Sequence, residues 1–398
     1  MSKKKQSTTK ELASLQAQYS AKNIQQLDPR EHIRRRPGMY VGGVGKRALH
    51  FLIFEVIDRA ITSTIIGRCD HISITLCPDN IVIIQDTDEV VPEQLATGQY
   101  MFSSSKDNGS NPDHYSYLWH QRPVLSGGTG YLEKDGLHRI TIMTVNAMCT
   151  FMTIQFRHND FVWKRTYREG VPQGAIQQYQ THDSKSDGVI VTFQPDFTIM
   201  EKNDFDLTLV REYCQKLTYI FPNLTIILKD ERPQQHRQDV LHYPDGIQAM
   251  VRDLNRDKQP LHKIEYKHEV ITNTDRVDRP YDTIVEIAFQ YTDSDETILH
   301  GYTNTVFATE VGTHIEGFRH ALMGYINTGR YNPVEWEEAS RGLTAIISVS
   351  HCDPQYESKA QLTLINPDIF DAVLQTTYAL LVEAKLRNLI RKHLQNMV

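Results

Sequence analysis

Hydrophobic positions change their spacing several times along this chain, and the longest early run has helical spacing. Between residues 47 and 66, apolar side chains such as Leu49, Leu52 and Ile53 recur three or four positions apart. This spacing predicts one long amphipathic helix. A second helical pattern covers residues 208–219. Short apolar or alternating runs predict strands at residues 71–76, 81–85, 151–157, 161–167, 189–194 and 224–229.

The C-terminal part has its own set of patterns. Residues 284–291 and 342–349 predict strands, the segment 312–318 leads into a helix, and residues 367–394 predict a long amphipathic helix. Residues 232–239 are polar and aperiodic, which is typical of a linker. We therefore predict an α/β (α+β) fold with two domains: an N-terminal arm at residues 1–30, a first domain at 31–231, a linker at 232–245 and a second domain at 246–398.

Composition and charge limit the classes of function. The chain has 398 residues and a formal net charge of −6, which argues against nucleic-acid binding over the whole surface. Contact with DNA would be local, as at the run Arg34-Arg35-Arg36. Five scattered cysteines without a C-x-x-C pair favour a reducing cytoplasm over a disulfide framework or zinc site. No window has the ~20 apolar residues of a membrane span, so we expect a cytoplasmic protein.

Two long motifs carry a family resemblance. His32–Gly42 reads HIRRRPGMYVG and Gly342–Val349 reads GLTAIISV. Together, in this order, they resemble the N-terminal half of gyrase B and of its topoisomerase IV counterpart. The resemblance implies a Bergerat-type α/β sandwich of the gyrase–Hsp90–histidine kinase–MutL class, followed by a ribosomal-S5-domain-2-like transducer. It does not extend to the domain that assists DNA cleavage, so we expect a dimerising clamp without strand cleavage.

The resemblance also implies roles for individual residues, with ATP and Mg²⁺ as the family's cofactors. Glu55 matches the general base that activates water, since a carboxylate within hydrogen-bond reach can accept its proton. Asp86 matches the acceptor of the adenine amino group. Tyr19 matches the arm tyrosine that reaches the nucleotide of a dimer partner, and Pro92 matches the proline after the adenine loop.

Arg59 departs from the family pattern at the position of the asparagine that holds magnesium. A guanidinium has five donors and no acceptor, so it cannot ligate a metal that prefers oxygen. Arg59 lies four residues after Glu55, which puts both side chains on one helix face. Two outcomes stay open: an inert Glu55–Arg59 pair, or a contact of Arg59 with phosphate in place of the metal.

Several glycines of the pocket loops are replaced. The D-x-G-x-G element reads Asp86-Thr87-Asp88-Glu89-Val90, and the phosphate lid keeps Gly136 and His138 but has Arg139 and Thr141 at glycine positions. Phosphate-binding loops of this kind use small residues so that backbone N–H groups can approach the ligand. Of the T-G-T element, only Gly188 is kept.

The lysine that the resemblance places on the transducer is also in question. An ungapped match of Tyr356-Glu357 puts Gln361 at its position, and a neutral amide stabilises developing phosphate charge far less well. A shift of two residues would bring Lys359 there instead.

These departures favour a pseudo-ATPase, a gyrase-B-like clamp that acts as a binding or regulatory module linked to DNA topology. The alternatives are an active ATPase of the same type and a DNA-associated scaffold that works without nucleotide. We expect a homodimer through the arm and first domain. Gyrase or topoisomerase IV subunits and DNA are further candidate partners, and we expect no membrane association.

Overall fold

The computed structural model of the chain contains two β-sheets with their associated helices. None of the helices that it describes has both the length and the apolar character that a bilayer span requires. The structure describes residues 28–65, 67–87, 142–158, 160–181, 187–233, 236–273, 281–308, 311–351, 353–357 and 363–396.

The first domain is built on a mixed sheet of nine described strands in the order β5-β4-β3-β7-β2-β1-β8-β9, with β6 also paired to β4. All of its pairs are antiparallel except β1–β8, which is parallel. The helices are α1 (Pro29–Arg35), α2 (Gly38–Val41), α3 (Lys46–Ile65), α4 (Ile142–Ala147) and α5 (Leu207–Ile220). The strands are β1 (His71–Leu76), β2 (Val82–Asp86), β3 (Cys149–His158), β4 (Phe161–Arg168), β5 (Val171–Pro172), β6 (Gln177–Gln180), β7 (Gly188–Pro195), β8 (Thr225–Asp230) and β9 (Arg237–Leu241).

Helix α3 and the middle of this sheet bring the predicted site residues together. The apolar face of α3 is fully buried in the core of the domain, as the helical spacing predicted. In β2, Val82, Ile84 and Asp86 alternate onto the buried face, because successive strand side chains point to opposite sides. A carboxylate therefore ends a row of core residues, on a strand against which α3 packs.

The segment predicted as a polar linker contains a strand. Strand β9 pairs antiparallel with β8 and forms one edge of the first sheet. Its residues are mostly exposed, and Val240 has 59% of its surface accessible. An edge strand without a buried face has no apolar periodicity, which explains why the sequence pattern suggested a linker.

The second domain contains a five-stranded sheet in the order β10-β11-β14-β12-β13. Strand β14 lies at its centre, pairs parallel with β12, and is buried on both faces except at its last residue, which accounts for its mainly apolar sequence. The strands are β10 (Glu265–Asn273), β11 (Tyr281–Tyr291), β12 (Ile298–Thr303), β13 (Val306–Ala308) and β14 (Leu343–Ser350). The helices are α6 (Ile247–Leu254), α7 (Thr313–Asn327), α8 (Trp336–Ala339), α9 (Pro367–Ala384) and α10 (Arg387–Asn396).

The prediction of one long C-terminal helix is wrong, because the structure has two. Helix α9 ends at Ala384, and the next residue, Lys385, adopts the left-handed conformation with φ of 57°. Its backbone N–H donates to the Leu381 carbonyl and closes the last turn. Lysine, unlike glycine or proline, gives no signal of such a break in a sequence.

An apolar cluster joins the two domains. It contains Tyr219 and Ile220 from α5, Met250 from α6, and Ala288 and Tyr302 from the second sheet, among other residues. The Tyr219 hydroxyl also donates to Asp253 and accepts a hydrogen bond from Gln215. Both apolar and polar contacts therefore connect α5 and α6.

Candidate functional site

Four of the predicted site residues lie in the described part of the chain: Glu55, Arg59, Asp86 and Gly188. The roles predicted for the remaining residues stay predictions, because these residues lie outside the described part. They are Tyr19, Pro92, Gly136, His138, Lys359 and Gln361.

Asp86 is the last residue of β2 and is held on both sides by neighbouring strands. It pairs with Ile72 of β1 and with Val189 of β7. Its side chain has no exposed surface. A carboxylate in such a position requires a hydrogen-bond donor or a cation, because an uncompensated buried charge is strongly destabilising.

Arg59 provides that cation. Its guanidinium Nη2 forms an ion pair with Asp86 Oδ2, and its side chain is 92% buried, with only 8% of its surface exposed. The sequence pattern predicts Glu55 or a phosphate as the partner of Arg59, and it gives no sign of Asp86. The predicted Glu55–Arg59 pair stays a prediction. The structure thus joins two residues that the family resemblance assigns to separate tasks.

Gly188 lies directly against the Asp86 backbone. A Cβ atom at this position would come within 1.9 Å of the Asp86 carbonyl oxygen, and its φ of 146° is in the region that favours glycine. Glycine is therefore required here by the packing of β7 on β2. At the adjacent position, Asp187 Oδ2 lies 3.1 Å from His158 Nδ1.

The turn of α3 around Glu55 packs against α5 through residues that the sequence reasoning missed. The Tyr213 hydroxyl donates to Asp58 Oδ1 over 2.5 Å, and the Tyr213 ring stacks on Phe54 with centroids 4.1 Å apart. Burial raises the pKa of Tyr213 well above its usual value, and the Asp58 and Glu55 carboxylates raise it further. Tyr213 is therefore a neutral donor, and Glu55 lies within electrostatic range of it.

The HIRRRPGMYVG motif has a structural role in this fold. Arg34 Nη2 donates to Asp196 Oδ2 over 2.6 Å, and Arg34 Nη1 donates to the Ala147 carbonyl over 2.8 Å. Burial raises the pKa of Asp196, but hydrogen bonds from Thr198 and Arg34 outweigh it, so the net pKa is lowered. Gly42 ends α2 in the left-handed conformation. The motif therefore fixes the backbone that leads into α3.

Comparisons with known proteins agree with this architecture. The family model of DNA gyrase B matches residues 246–396. The gyrase B subunit of Archaeoglobus fulgidus is 31% identical over 370 residues, which cover 91% of this chain and 55% of that protein. The Staphylococcus epidermidis subunit is 30% identical over 366 residues, which cover 89% of this chain and 54% of that protein.

Solved structures show the same fold. The gyrase B subunit of Myxococcus xanthus superposes with a TM-score of 0.70 at 21% identity, over 91% of this chain and 98% of that one. The 43K ATPase domain of Thermus thermophilus gyrase B, solved with an aminocoumarin, gives a TM-score of 0.68 at 20% identity. The match covers 92% of this chain and 94% of that one. The chain is of the DNA gyrase B type. It spans about half the length of the curated relatives it matches.

Within this gyrase-B-type fold, described residues lie on both sides of the segment that contains Lys359 and Gln361, and that segment itself is outside the described part. A bridge joins Tyr356 to Leu364, and the Glu357 N–H donates to the Thr363 carbonyl over 3.0 Å. Nearby, His351 Nε2 lies 3.0 Å from Asp368 Oδ2. The described residues on either side of the segment are therefore bonded to each other.

The described residues do not fit the family's cofactors, ATP and magnesium. The carboxylate to which the resemblance assigns the adenine amino group, Asp86, is paired with a guanidinium. The position to which the resemblance assigns the metal-binding asparagine carries that same arginine, which has donors only. A gyrase-B-type hydrolysis step through these residues cannot be derived from this geometry.

Proposed function

We propose that this chain is a gyrase-B-type module that has lost ATP hydrolysis and acts as a dimeric clamp or regulatory binding module linked to DNA topology. The ion pair between Arg59 and Asp86 carries this proposal. It occupies the adenine acceptor and places a positive charge at the metal position. A single residue therefore removes two requirements of the family's reaction.

Glu55 alone does not restore the reaction. A general base accelerates a reaction only when the reacting groups are positioned and the developing charge is stabilised. Loss of one such stabilising group typically costs about 3 kcal/mol of barrier lowering. Together with the replaced glycines at Val90, Arg139 and Thr141, the loss of the metal ligand would remove most of the rate acceleration.

The partners in this proposal come from the retained fold. The family's architecture supports pairing with a second copy through the arm and first domain, with gyrase or topoisomerase IV subunits, and around DNA in the cytoplasm. The net charge of −6 makes a local DNA contact the expected form.

A magnesium-dependent ATPase assay on the purified chain tests the loss of hydrolysis. We expect a rate indistinguishable from that of the Glu55→Ala variant. Hydrolysis that requires magnesium and disappears in Glu55→Ala would favour the active ATPase instead. A supercoiling assay with an active gyrase then tests the regulatory role, and unchanged activity at equal stoichiometry would argue against it.

A further inference from the structure

The Arg59–Asp86 pair joins a residue of a central strand to a residue of helix α3. Asp86 is held by β1 and β7, and Gly188 packs against its carbonyl oxygen. Arg59 reaches it from α3 through a long side chain. The Asp86 carboxylate is therefore the acceptor that the fold holds in place, and the Arg59 guanidinium is the donor that contacts it.

We propose that Arg59 is an internal ligand that keeps the buried Asp86 carboxylate occupied. Its guanidinium takes the donor position at Asp86 that a small planar cation or an amino-bearing heterocycle would otherwise take. This inference rests on the proposed function, because a pocket that hydrolysed ATP could not be closed in this way. Beyond the loss of hydrolysis, the Asp86 carboxylate can still bind a donor, and Arg59 is the group that excludes one.

Removal of the guanidinium gives this idea a measurable consequence. An Arg59→Ala variant removes the guanidinium from beside the buried Asp86 carboxylate and creates space of about guanidinium size there. A small donor that fits this space stabilises the folded state, because a ligand that binds only the native protein raises its melting temperature.

A second buried pair provides a matched control. Arg232 donates to Asp230 through Nε over 2.8 Å and Nη2 over 2.5 Å, and the Asp230 side chain has no exposed surface. This pair joins the end of β8 to the turn after it, and neither residue belongs to α3 or β2. Arg232→Ala therefore exposes any general effect of unpairing a buried aspartate.

The experiment is a thermal-shift titration of the full chain with methylguanidinium and with adenine. We expect each probe to raise the melting temperature of Arg59→Ala by about 3 °C or more at saturation. Adenine should shift the wild type and Arg232→Ala by less than about 1 °C on the same scale. The double variant Arg59→Ala, Asp86→Asn should lose the methylguanidinium response, because a neutral amide no longer attracts a cation.

If Arg59→Ala does not fold, Arg59→Ser takes its place, since its short side chain also leaves the space beside Asp86 open. Folded Arg59 variants that respond to neither probe, or that respond no more than the wild type, would overturn the internal-ligand proposal. ATP hydrolysis by the wild type would overturn the proposed function, and the internal-ligand proposal with it. The two failures are therefore seen in different proteins and different assays.

Discussion

At the scale of single residues, the pocket depends on how Asp86 is surrounded. Its carboxylate is paired with Arg59, and its carbonyl oxygen is in close contact with Gly188. The sequence suggested Glu55 as the partner of Arg59, because residues four apart share a helix face. The actual partner lies on a strand, and helical spacing contains no information about such a distant contact.

Substitution of Gly188 tests the close approach of β7 to β2. In Gly188→Ala, the added Cβ would collide with the Asp86 carbonyl, so we expect a loss of about 3 kcal/mol or more in the free energy of unfolding. Gly324→Ala is the control, because this exposed glycine in α7 has open space around it. There we expect a gain of about 0.5–1 kcal/mol. Equal effects in urea unfolding would show that the contact at Gly188 is not tight.

The role of the RRPGMYVG motif is tested by removal of Arg34. Arg34→Ala leaves the buried Asp196 without its cation, so we expect a loss of about 3 kcal/mol in unfolding free energy. Arg35→Ala removes an exposed pair with Glu31 and should cost less than about 0.5 kcal/mol. A similar small effect for both variants would contradict a structural role for Arg34.

At the scale of elements, the strands with a clear buried face could be predicted from the sequence within about two residues. Strands β1, β2, β3, β4, β7, β8 and β14 have such faces or runs. Strands β6 and β9 could not be predicted from the sequence, because their side chains are almost all exposed and no pattern of buried positions marks them. The family fold was predicted from two motifs, and both belong to buried or tightly bonded segments.

The break between α9 and α10 gives a prediction at this scale. Lys385 holds a left-handed conformation that costs a non-glycine residue about 1 kcal/mol, so Lys385→Gly should raise the unfolding free energy by about that amount. Lys392→Gly, at an exposed position inside α10, should lower it by about 1 kcal/mol. A loss of stability in both variants would mean that the helix is continuous through residue 385 in solution.

At the scale of the whole molecule, the apolar cluster between α5, α6 and the second sheet couples the two domains. We therefore expect one cooperative transition in urea unfolding, observed equally by fluorescence and by circular dichroism.

The Met250→Ala variant tests this coupling, because Met250 is 5% exposed within the cluster. It should cost about 2–5 kcal/mol and separate the transition into two steps. Val240→Ala, on the exposed edge strand, should change the free energy of unfolding by less than about 0.5 kcal/mol and should keep the single transition. Two transitions in the wild type would show that the domains unfold independently.

The central claim is that a gyrase-B-type fold has been kept while its nucleotide pocket is occupied from within by Arg59. The most direct test is calorimetric titration of the wild-type chain with ATP in the presence of magnesium. We predict no saturable heat at nucleotide concentrations up to about 1 mM, which corresponds to binding weaker than about −4 kcal/mol. Saturable, magnesium-dependent binding at micromolar concentrations would contradict the account.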